Sequence, residues 1–105
     1  MNEDNAMQLV KTDENVIRFS EICNELCNLY ERKNKDYGNS FGKTYQNLGI
    51  ISAVTRISDK YNRLCNLVTS EEEICVKDES IEDTLKDLAS YAIMTLIEYR
   101  KEIKQ

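Results

Sequence analysis

The sequence predicts an all-α fold: a compact bundle of three long helices plus a short helix, completed by oligomerisation. Three observations carry that prediction. Apolar residues recur at three- and four-residue spacing over long stretches, the period of an amphipathic helix. Proline is absent, and the 3 glycines, Gly38, Gly42 and Gly49, fall in one short stretch. Long helices interrupted at one place fit that distribution. No alternating segment of useful length and no internal repeat is present. A hydrophobic fraction of 41% against 31% charged residues supports a packed core.

Residues 1–13 are polar and acidic, without the basic and apolar regions of a signal peptide, and are expected to form a mobile arm. Residues 14–105 read as one domain. The first helix is expected from Glu14 to Lys33, where Phe19, Ile22, Leu26 and Leu29 form a stripe beside Cys23 and Tyr30. The Asn- and Gly-rich segment NKDYGNSFGKTYQNLG fits a loop and a short helix. A second long helix is expected from Ile50 to Val68. Its apolar stripe is Ile50, Val54, Ile57, Tyr61, Leu64 and Val68, opposite Arg56, Asp59, Lys60 and Arg63. The segment TSEEEICVKD then leads to a last helix from Ser80 to Ile103. Asp78 or Ser80 can cap it, and Glu79, Glu82 and Asp83 suit its positive end. Within it, Leu88 to Ile97 carries no charge. A helix apolar all round is buried on several sides, so a homodimer or higher homo-oligomer is expected. Tyr91 and Met94 then sit in that interface or line a ligand pocket.

The composition excludes several function classes. The formal net charge is −5, which argues against direct DNA or RNA binding, since such binding needs a basic face. No run approaches the roughly 18 apolar residues of a membrane span, so no membrane partner is expected and the chain reads as soluble and cytoplasmic. There are 0 histidines, which removes the commonest general base and every His-containing metal site. The 4 cysteines, Cys23, Cys27, Cys65 and Cys75, form no CxxC pair. They read as small buried hydrophobes of a reduced protein, with a four-cysteine metal site or a disulfide as the alternative.

Three constellations can carry chemistry. Asp83 and Asp87 lie one turn apart on the last helix, a like-charge spacing that Mg²⁺ or a facing cation would relieve. Asp83, Asp87, Ser90, Tyr91 and Met94 share one side, opposite Ile81, Leu85, Ala92 and Leu96. A half-buried polar pocket fits that run better than a solvated acidic face does. Arg56, Asp59, Lys60 and Arg63 form a mostly basic stripe suited to phosphate oxygens, the plainer alternative being surface ion pairing. The segment around Tyr37 offers Lys33, Lys35 and Lys43 for charge, Asn34, Asn39 and Asn47 for hydrogen bonding to a base edge, and Tyr37, Phe41 and Tyr45 for stacking. The run from Gly38 to Thr44 imitates a phosphate-binding P-loop, but only three residues separate its glycines, where four are needed, and no strand precedes it. The plain alternative for this segment is an interhelix connection.

These residues carry a resemblance. ERKNKDYGNSF, GIISAVTRISDKYNRL and DESIEDTLKDLASYAIMTLIEY resemble the nucleotide modification associated domain 1 family over roughly Leu29 to Tyr99. The resemblance implies a phage or prophage protein linked by genomic context to nucleotide or DNA base modification. A nucleotide-binding reading of the stripe and of the Tyr37 segment assigns that role to Lys33, Asp36, Tyr37, Asn39, Phe41, Arg56, Lys60, Arg63 and Tyr91. More distantly, the chain is similar to MazG-like all-α pyrophosphohydrolases, which hold Mg²⁺ against a nucleoside triphosphate with acids from two helices. That similarity implies Glu79, Asp83 and Asp87 as metal ligands, and Asp83, Asp87 and Asp59 as catalytic residues. The central helix departs from the pattern: Asp59 stands where an acidic cluster belongs, among Arg56, Lys60 and Arg63. Fewer acids and more cations weaken metal binding and strengthen direct phosphate binding.

Two functions follow as expectations. One is a Mg²⁺-dependent nucleotide pyrophosphohydrolase serving nucleotide or base modification. The other is a non-catalytic sponge that sequesters a nucleotide or cyclic nucleotide immune signal in the host cytoplasm. A helical interaction module is the plain third.

Overall fold

The computed structural model describes residues 13–71 and 73–104; the side chains of Ile74 and Cys75 are not described. Most of the expected arm, residues 1–12, therefore lies outside the described residues, as does Cys75 as a side chain. Among the described residues the fold is all-α, with four helices and no strand: α1 (Glu14–Tyr37), α2 (Ser40–Leu48), α3 (Ile50–Thr69) and α4 (Ile74–Ile103). No described helix is long and apolar enough to cross a membrane. Contacts divide the chain into two compact units, residues 1–36 and 37–105.

The first unit carries α1. Asp13 caps it: its carboxylate accepts from the Val16 amide at 3.1 Å. The helix runs past the expected stop at Lys33 as far as Tyr37 and ends where Gly38 takes φ 62°. Glycine has no Cβ to clash there. Leu26 is buried, whereas Phe19 and Ile22 on the same stripe are exposed. Cys23 and Cys27 are also exposed and free, which corrects their expected burial.

The second unit holds α2, α3 and α4. Asn39 caps α2 by accepting from the Gly42 amide at 3.3 Å. Gly49 alone joins α2 to α3, at φ 79°. α3 packs chiefly on α4, and α2 lies against both. Tyr45 of α2 is buried and donates its hydroxyl to Glu102 Oε2 at 2.8 Å. Phe41 stacks on Tyr91 with ring centroids 5.9 Å apart. Ala53 is fully buried, while Ile57, Lys60, Leu64 and Leu67 are half-buried.

The packed face of α3 thus runs through Ala53, Ile57, Lys60, Leu64 and Leu67 at helical spacing, and it includes a lysine. Ile50, Val54, Tyr61 and Val68 of the expected stripe stay exposed. The polar stripe is displaced toward the core because α4 presents a carboxylate to receive Lys60. α4 itself begins at Ile74, ahead of the expected Ser80, with Glu73 at its N-cap and no side-chain cap. Asp78 and Ser80 lie inside the helix and do not start it.

Candidate functional site

The site lies between α3 and α4, where the basic stripe of one meets the acidic stripe of the other within a single chain. Lys60 Nζ lies 3.0 Å from Asp87 Oδ2, and both side chains are about one-third exposed. One turn on, Arg63 Nε donates to Thr84 Oγ1 at 3.3 Å. Thr84 is 1% exposed, and its hydroxyl donates to the Ser80 carbonyl at 2.6 Å. The threonine oxygen therefore accepts from the arginine and donates into its own helix, which fixes the inner nitrogen of the guanidinium. Among the described residues Arg63 makes no ion pair, so the outer nitrogens of its fork are available for an anion.

Arg63 also lines an open cavity of about 450 Å³ with Asp59, Asn62, Asn66, Leu67 and Ser70. That volume lies in the range of small-molecule sites. Asn62 and Asn66 make no side-chain hydrogen bond among the described residues, so their amides face the cavity with donors and acceptors unused. Lys77 of α4 donates to the Ser70 carbonyl at the end of the groove.

The other expected site residues are distributed as follows. Asp59 lines the cavity and Arg56 does not; both are exposed. Asp83 and Glu79 are exposed, and Asp87 is half-buried beside Lys60. Among the described residues no three acids or cysteines gather closely enough to hold a metal ion. Lys33 and Asp36 are exposed on the last turns of α1, in the first unit. Tyr37 is exposed, Asn39 caps α2, and Phe41 and Tyr91 stack on each other.

Sequence reasoning missed Thr84, Asn62, Asn66 and Ser70. Extending the Asp59–Arg63 stripe along α3 would have reached Asn62, Asn66 and Ser70, which share its face. Nothing local marks Thr84, because its role arises only when α3 crosses it.

No curated protein and no solved structure matches the chain. One family model does, over residues 33–99, well over half of the sequence. The matched span contains α2, α3, the α3–α4 contact and the cavity. The chain belongs to the family described as nucleotide modification associated domain 1.

Proposed function

We propose that the protein binds a nucleotide through its phosphate in the α3 groove, with Arg63 as the cation that lines it and Lys60, paired with Asp87, on the packed face beside it. The anchored Arg63 carries this reading: a guanidinium held from behind by a buried hydroxyl is pre-organised and loses little freedom on binding. Asn62 and Asn66 supply hydrogen bonds for sugar or base, and Leu67 supplies apolar surface. The family description, association with nucleotide modification, agrees with a nucleotide ligand.

Binding without turnover is the better-supported form. Asp87 is engaged by Lys60, and among the described residues no three acids gather closely enough to hold a metal ion. A phage or prophage protein of this kind would sequester a nucleotide, including a cyclic nucleotide immune signal, in the host cytoplasm. The second form is an enzyme, as a domain associated with nucleotide modification allows: a Mg²⁺-dependent pyrophosphohydrolase of MazG-like character using Asp83, Asp87 and Asp59. Among the described residues these acids do not form a three-ligand metal site by themselves. The hydrolase form therefore requires substrate phosphates to complete the coordination.

One experiment separates the two. The purified protein is incubated with Mg²⁺ and a pool of nucleoside triphosphates, deoxynucleoside triphosphates and cyclic di- and trinucleotides. The protein-bound and free fractions are then read by mass spectrometry. An intact nucleotide released only on heating establishes sequestration; monophosphate and pyrophosphate establish hydrolysis. If nothing is retained or consumed, nucleotide binding is wrong.

A further inference from the structure

The second unit leaves one long apolar face of α4 largely exposed, with Leu85, Ala92, Leu96, Tyr99 and Ile103 exposed and Ile81 and Ala89 half-buried. Ile81, Leu85, Ala89, Ala92, Leu96 and Tyr99 recur at three- and four-residue spacing and end near Ile103, a stripe about 33 Å long. It lies roughly a third of a turn around the helix from the face that meets α3 through Thr84 and Asp87. Leu85 is 49% exposed and Leu96 46%. Alanines at the centre let a second helix approach closely.

We propose that this stripe pairs with the same stripe of a second copy of the chain, antiparallel, about a twofold axis near Tyr91. Self-complementarity identifies the occupant. In that register Leu85 of one protomer faces Leu96 of its partner, and Ala89 faces Ala92. The charges at the two ends match in the same register. Asp78 and Glu82 flank the N-terminal end of the stripe, and Arg100 and Lys104 flank the C-terminal end, so Glu82 of each protomer meets Arg100 of the other. A parallel pairing would set like charges together. Within one chain, Arg100 makes no ion pair among the described residues, and Glu82 makes only an exposed one-turn pair with Lys86 at 3.4 Å. An interface between identical patches is isologous and closes at two copies. The proposal stands independently of nucleotide binding.

Light scattering and sedimentation equilibrium on the whole chain test it. The wild type is expected to be a dimer at micromolar concentration. Leu96→Glu is expected to raise the dissociation constant more than about a hundredfold while far-UV circular dichroism stays helical. Because that variant puts its charge in an apolar stripe, two variants at solvent-exposed positions accompany it. Arg100→Glu sets acid against Glu82 and weakens the dimer; Glu82→Arg combined with Arg100→Glu reverses both charges and restores it. A monomeric wild type, or a dimer indifferent to Leu96→Glu, overturns the proposal. Failure of the double charge reversal to restore association overturns the antiparallel register.

Discussion

Arg63 is held in place by Thr84, and that pair is the most informative detail in the molecule. Thr84→Val keeps the shape and removes the acceptor. The variant is expected to fold normally and to bind nucleotide about tenfold more weakly by titration calorimetry, because the guanidinium is no longer held. Arg63→Ala is expected to abolish retention altogether; retention by that variant would show that the phosphate sits elsewhere. Tyr45 gives a pH prediction. Burial, and then the hydrogen bond to Glu102 and that group's charge, hold its phenol above the ordinary range. The folded state keeps this proton more tightly than the unfolded chain does. The resulting stability is complete below about pH 10 and is lost as pH climbs from there through the raised value. Tyr45→Phe removes that step, so the fall in stability above about pH 10 should be shallower by urea unfolding. The cations and acids of the site were legible as residues, since Arg, Lys and Asp at helical spacing are conspicuous. The hydroxyl that organises them was not, since an isolated threonine in a helix has no signature.

At the scale of elements, two local devices set the α2 corner. Asn39→Ala removes the cap and is expected to cost about 1 kcal/mol in chemical denaturation. Gly49→Ala places a Cβ on an extended backbone of positive φ, essentially a glycine-only conformation, in a one-residue link, for about 1–3 kcal/mol. Gly42 has the tightest environment: a Cβ there would meet the Asn39 side chain at 2.5 Å, so Gly42→Ala should displace the same cap. Helix identity was readable from periodicity, because 3.6-residue spacing is written in the residues. The boundaries were less so. Asp78 and Ser80 look like caps, yet no proline or glycine follows Ile74, so nothing stops the helix from starting earlier. The packed side of α3 was misassigned for a related reason. Periodicity locates a stripe, but which flank is buried depends on the neighbour. Here the neighbour carries Asp87, which draws Lys60 inward.

For the whole molecule, few side chains among the described residues of the second unit are fully buried, and the largest of them is a threonine. On the proposed α4 pairing, stability draws on association. The thermal midpoint should rise with protein concentration between about 1 and 100 μM, as linkage requires of a dimer whose folded form associates. A midpoint independent of concentration over that range would count against the α4 pairing.

The sequence by itself determined the helical class, the interruption around the glycines, the family and the types of charge on each helix face. Those follow from local spacing and composition, which a linear chain carries in full. The tertiary structure decided which charges meet. Lys60 finds Asp87 and Arg63 finds Thr84 across residues far apart in the chain, and the second of these contacts anchors the arginine that lines the groove on α3. Such contacts are set by how two helices cross and rotate against each other, a property that neither helix encodes alone.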